Sequence, residues 1–134
     1  MKSKLVKNKK MNNEVFKLRR KVMDIIYDLK KDLDLPRITV RIADNNGTIL
    51  GVGTMNEKVA IWITDLAFSY SYKKLYHVVA HEIGHAVYKL KHDENCPLMK
   101  ATVNKGISKK KILEVLKKAE RSKNKSKRRE LLVA

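Results

Sequence analysis

Two histidines four residues apart enclose a carboxylate in the stretch His81-Glu82-Ile83-Gly84-His85. On an α-helix, side chains four apart stack on one face, so both imidazoles can reach a single metal ion. Glu82 lies one step round the helix, beside such an ion rather than on it. From there its carboxylate can hydrogen-bond a water on the metal and take its proton. The chemistry this pattern would perform is metal-assisted hydrolysis. Without such a role, two histidines, a glutamate and a helix-weakening glycine on a core helix would be costly to bury.

A catalytic metal of this kind needs a third protein ligand. His92 is the nearest candidate, and Asp93, Glu94, Cys96, Glu114 and Glu120 are the others. A helix continuing through His92 would carry it about 10 Å of rise beyond His85, out of reach. The chain must therefore leave the helix after about Tyr88 and fold back. No Gly or Pro lies between Ala86 and His92 to enforce that bend.

The elements that must hold these residues follow from hydrophobic spacing. Residues 1–11 are polar and Lys-rich, and read as a disordered basic segment. Asn12 or Asn13 can cap a helix in which Val15, Leu18, Val22, Ile25, Ile26, Leu29 and Leu33 recur at helical spacing. Pro36 stops it. Ile38, Val40 and Ile42 alternate with Thr39 and Arg41, as in a strand with one buried face. Asp44-Asn45-Asn46-Gly47 is a turn by composition. Thr48 to Met55 reads as a second strand, weakened by Gly51 and Gly53, and Asn56-Glu57-Lys58 turns again. Val59 to Thr64 is the strongest strand. A second helix is expected from about Tyr72 to Leu90, buried through Leu75, Val78, Val79, Ile83, Ala86, Val87 and Leu90. Ser108 can cap a third, with Ile112, Val115, Leu116 and Ala119 on one face. Residues 121–134 form a basic tail with an apolar end. This order predicts an α+β domain spanning residues 12–120: an N-terminal helix, a three-stranded meander, the helix of the histidines and a C-terminal helix.

Composition narrows the setting. The chain has 134 residues, one domain by length, and a net charge of +17. Residues 1–31 hold 11 Lys/Arg against 3 Asp/Glu, residues 100–134 hold 13 against 3, and residues 32–99 are close to neutral with 7 against 8. A neutral core with basic ends is the result, not a domain given over to nucleic acid. The ends keep the protein soluble, and they predict weak nonspecific contact with nucleic acid, since clustered Lys/Arg displace counterions from phosphates. No apolar run approaches the roughly 20 residues of a membrane span. No apolar h-region follows the basic start, so no signal peptide is read. Cys96 is alone and cannot form an intrachain disulfide. A monomer in the reducing cytoplasm is the expectation.

The segment HEIGHAVYKLKHDENCPLM, residues 81–99, resembles the metzincin metallopeptidases. Their pattern is H-E-x-x-H-x-x-G-x-x-H followed by a methionine in a tight turn beneath the metal. The resemblance implies a small zincin-like fold holding one Zn2+ per chain. It implies zinc ligands at His81, His85 and His92, a general base at Glu82 and a structural turn methionine at Met99 within Cys96-Pro97-Leu98-Met99. It also implies an endopeptidase acting on a peptide or protein substrate, laid along the strand Val59–Thr64. Two departures are visible: Tyr88 stands at the family's glycine, and His92 arrives one residue late, as if one residue were inserted at Tyr88-Lys89. A second resemblance, to SprT-like and WLM-type proteases, implies action on proteins crosslinked to DNA. A third, to the small gluzincins, implies Glu114 as third ligand. A non-enzymatic zinc-stabilised nucleic-acid adaptor is the remaining alternative, and Glu82 argues against it, because a structural site needs no carboxylate there.

Other residues are read more plainly. Cys96 is a small residue of the turn, and Trp62 is core or pocket wall. His77 lies four before His81 on the same helix face; it could extend the site, but reads more simply as a partly exposed histidine. Tyr70, Tyr72, Tyr76 and Tyr88 could include a transition-state stabiliser, Tyr88 being closest in sequence to the metal, but most read as packing residues with a wet hydroxyl.

Overall fold

The computed structural model describes residues 2–52, 59–103 and 105–133. In chain order these form helix α1 (Lys2–Lys30), strands β1 (Ile38–Ala43), β2 (Ile49–Val52) and β3 (Val59–Thr64), a 3-10 turn at Asp65–Ser69, helix α2 (Tyr72–Ala86) and helix α3 (Lys109–Val133). The architecture is α+β, with three helices and one small mixed sheet.

The apolar stripe of α1 is buried as its spacing requires: Val22, Ile25 and Leu29 are fully enclosed, and Val15, Leu18 and Ile26 nearly so. The helix begins at Lys2, however, and so takes in the segment expected to be disordered. Lysine is a good helix former and no Gly or Pro occurs before Pro36, so a helix nucleated by the packed turns has nothing to stop it extending backward. The same reason carries α3 through residues expected to form a loose tail.

Strand order is β2-β1-β3. β1 pairs antiparallel with β2 across the Asp44–Gly47 turn, where the Asp44 carboxylate accepts the amide N–H groups of Asn46 and Thr48 at 2.9 and 3.0 Å. β3 pairs parallel with β1 on the other side, from Ile38 opposite Val59 to Ala43 opposite Thr64. The expected meander is therefore not formed, because β3 neighbours β1 and not β2. Alternation of apolar residues says which face of a strand is buried but not which strand lies beside it. β1 is the most enclosed of the three, with Ile38, Val40 and Ile42 all buried, and takes the centre. The expected end of the second strand, at Met55, and the turn at 56–58 lie outside the described residues.

Ile61 and Ile63 of β3 face the core, while Trp62 is half exposed on the opposite face with the Arg41 guanidinium 5.3 Å from its ring centre. Among the described residues β3 has a strand on one side only. α2 starts at Ser71, whose hydroxyl accepts the Lys74 N–H, a standard N-cap. Leu75, Val79 and Ile83 bury its inner face, and Ile112 and Leu116 bury that of α3. The three helices are tied at one point. The Asp28 carboxylate of α1 accepts the Tyr76 hydroxyl of α2 at 2.6 Å and the Lys109 ammonium of α3 at 2.7 Å.

Candidate metal centre

His81 and His85 project from the last two turns of α2, and the chain does leave the helix as the third ligand requires. α2 ends at Ala86, the Val87 N–H still bonds back to Ile83, and Lys89 adopts a left-handed conformation with φ 59°. The Leu90 N–H then donates to the Gly84 carbonyl at 2.9 Å, and the Lys89 ammonium donates to the Ala86 carbonyl at 3.1 Å. The reversal thus falls at Lys89, one residue after Tyr88.

The reversal brings His92 back over the helix end. The ligand atoms of His81, His85 and His92 all lie within 4.8 Å of one another. Ring centres are 4.6 Å apart for His81 and His85, 5.3 Å for His81 and His92, and 4.8 Å for His85 and His92. His81 is buried, His85 half-buried and His92 exposed, so the cluster opens to solvent on the His92 side.

Hydrogen bonds fix which ring nitrogens are bare. His81 Nδ1 lies 2.8 Å from the Leu98 carbonyl and His85 Nδ1 lies 2.7 Å from the Leu90 carbonyl. A carbonyl can only accept, so each Nδ1 carries a proton, and in the neutral ring each Nε2 then presents a lone pair. Those two Nε2 atoms are 3.0 Å apart. Two bare acceptors that close repel, and a positive charge shared between them turns the repulsion into attraction. With metal–imidazole bonds of about 2.0–2.1 Å, both nitrogens reach a common ion, and a donor set of three imidazoles suits a divalent transition metal. Burial pushes His81 below the usual imidazole range, against the pull of the Leu98 carbonyl and the Glu82 carboxylate. The neutral, metal-binding form is favoured.

The segment after His92 is a pair of tight turns. The Cys96 N–H donates to the Asp93 carbonyl and the Met99 N–H to the Cys96 carbonyl, both at 3.1 Å, and the Asp93 N–H closes the loop on the Met99 carbonyl at 2.9 Å. Pro97 is at the second position of the latter turn, where its fixed φ is favourable. The turn places the Leu98 carbonyl on His81 and buries Met99 against α2. Gly84 makes room for it: a Cβ there would stand 2.8 Å from the Met99 sulfur. That is why a poor helix former occupies the middle of the motif.

Glu82 is half-buried beside His81 on α2. Glu114 is exposed on α3 and outside the cluster. Glu120 is engaged elsewhere, accepting the Asp34 N–H at 2.7 Å, and Asp93 caps its own turn by accepting the Asn95 N–H. Cys96 is half-buried in the turn as a free thiol. The Tyr88 hydroxyl is buried with no partner at hydrogen-bonding geometry among the described residues. Burial, and then the nearby Glu120 and Asp34 carboxylates, raise its pKa far above the ordinary phenol range. It is not the wet hydroxyl its sequence position suggested.

His77 departs most from expectation. It is 4% exposed, not partly open, and it contacts both the Leu98 carbonyl and the Ile107 N–H. The backbone carbonyls of Leu90 and Leu98, which orient the two helix histidines, carry no side-chain signature and could not be read from residue types.

A groove of about 910 Å3 opens beside the cluster and shares His92 with it. Its walls are the 88–99 segment and the α3 residues Val115, Lys118, Ala119, Ser122 and Lys123. No family model, curated protein or solved structure matches the chain. The class that fold and site support is therefore an α+β domain with a three-histidine cluster able to hold a metal ion.

Proposed function

We propose that the chain is a zinc-dependent endopeptidase of minimal zincin type, with His81, His85 and His92 as ligands and Glu82 as general base. The observation that carries this reading is the pair of Nε2 lone pairs 3.0 Å apart, each aimed by a carbonyl on its Nδ1, with a third imidazole folded back onto them. Zinc bound there would supply Lewis acidity toward water and the scissile carbonyl. Glu82, one residue from His81, takes a proton from the attacking water and delivers it to the leaving amine. The exposed side at His92 and the adjoining groove give a polypeptide access. The open edge of β3 offers backbone groups to an extended substrate by strand addition.

Substituting Glu82→Gln tests the assignment, because an amide cannot accept the proton. Zinc content and melting temperature should match the wild type while cleavage of an unfolded protein falls by at least about a hundredfold, the usual scale of general base catalysis. Equal cleavage by both forms would place the activity elsewhere.

A further inference from the structure

One buried polar side chain near the cluster is not used by the proposed chemistry. His77 lies one helical turn before His81 on α2, and both of its ring nitrogens are engaged. Its Nδ1 receives the backbone N–H of Ile107 at 3.1 Å, and its Nε2 lies 3.3 Å from the Leu98 carbonyl. An amide N–H can only donate, so Nδ1 must be bare. In a neutral imidazole the proton then sits on Nε2 and is donated to Leu98. Neutrality is favoured by burial, which pushes this histidine below its ordinary range.

The Leu98 carbonyl has two lone pairs and serves two imidazoles, His77 through Nε2–H and His81 through Nδ1–H. The donors converge on this carbonyl from two sides. Ile107 donates to His77, His77 donates to Leu98, and Leu98 accepts from His81, which leaves His81 Nε2 bare toward His85 at 3.0 Å. The Ile107 amide is itself held in place. Gly106 has φ +85°, and a Cβ on it would meet the Lys73 carbonyl oxygen at 2.7 Å. The segment entering α3 is thereby pressed against the first turn of α2.

We propose that His77 is a positioning residue for the metal centre. Anchored by the Ile107 amide, it holds the Leu98 carbonyl against His81, and so keeps in place the acceptor that sets the tautomer and the aim of the first ligand. The proposal rests on the metal-site reading for its consequence but not for its geometry. Partners of this kind typically alter metal affinity by about ten- to a hundredfold when removed.

Long-range proton–nitrogen NMR on the metal-free protein reads the tautomers directly. His77 is expected to be protonated on Nε2, and His81 and His85 on Nδ1. Protonation of His77 on Nδ1 would overturn the proposal whether or not any variant folds. Two variants then measure the consequence. His77→Phe removes both bonds, and zinc affinity, measured by competition with a chromophoric chelator, should fall about ten- to a hundredfold. The His81 nitrogens should shift toward a mixture of tautomers. His77→Gln presents one donor and one acceptor and should recover most of that loss. A folded His77→Phe protein with wild-type zinc affinity and an unchanged His81 tautomer would contradict the role. Should the wild type take up no zinc, the peptidase reading fails, while the tautomer measurement still decides the hydrogen bonding of His77.

Discussion

At the scale of single residues, His81, Glu82 and His85 were legible because helical spacing alone puts the two imidazoles on one face. His92 was legible as the nearest imidazole but not as a neighbour in space, since nothing between Ala86 and His92 enforces a bend. The choice between His92 and Glu114 now has a geometric basis: the first lies in the cluster and the second is exposed on α3. His92→Ala should weaken zinc binding by more than about tenfold, since it removes a direct ligand, and Glu114→Ala should leave it unchanged. Chelator competition on the two variants checks this, and the reverse pattern would move the third ligand onto α3. The Leu90 and Leu98 carbonyls, and the backbone partners of His77, were beyond sequence reasoning for a physical reason. Their contribution depends on which backbone atoms the 90–107 segment presents to α2, and side-chain type does not encode that.

At the scale of elements, the helices were readable and the sheet order was not. Val15 through Leu29 and Ile112 with Leu116 declare their buried faces by period, whereas Val59–Thr64 declares a buried face without naming its neighbour. The decisive local feature is the end of α2. Lys89 takes a left-handed conformation that favours glycine, a strain of about 1 kcal/mol for a residue with a side chain. Its ammonium contact with the Ala86 carbonyl is exposed and offsets little of that. Lys89→Gly should therefore raise stability by somewhat under 1 kcal/mol, after the greater freedom of glycine in the unfolded chain is counted. The gain should read as a higher urea midpoint at an unchanged slope. A lowered midpoint would mean that the bend is held in another way.

At the scale of the whole molecule, one carboxylate joins all three helices. Lys109, first, and Tyr76, second, hydrogen-bond Asp28 and hold its carboxyl below the ordinary value of 3.8. A depressed pKa in the folded state contributes stability above the unfolded value that is lost as pH falls through the folded one. Metal-free wild type should therefore lose more stability than Asp28→Asn on acidification below about pH 4, a comparison in which the histidines, common to both proteins, cancel. Denaturant unfolding at pH 5 and pH 2.5 measures the difference. Parallel losses would show that the Asp28 junction does not contribute. The rest of the charge lies mainly on α1 and α3, helices among which none is long and apolar enough to cross a membrane in the described residues.

His81, His85 and His92 are proposed to hold one metal ion. Elemental analysis of the purified, zinc-equilibrated chain, beside His81→Ala and His85→Ala, tests it most directly. About one zinc per chain is expected in the wild type, as a single three-ligand site requires, and close to none in either variant. A wild type without zinc, or variants that keep it in full, would contradict the account.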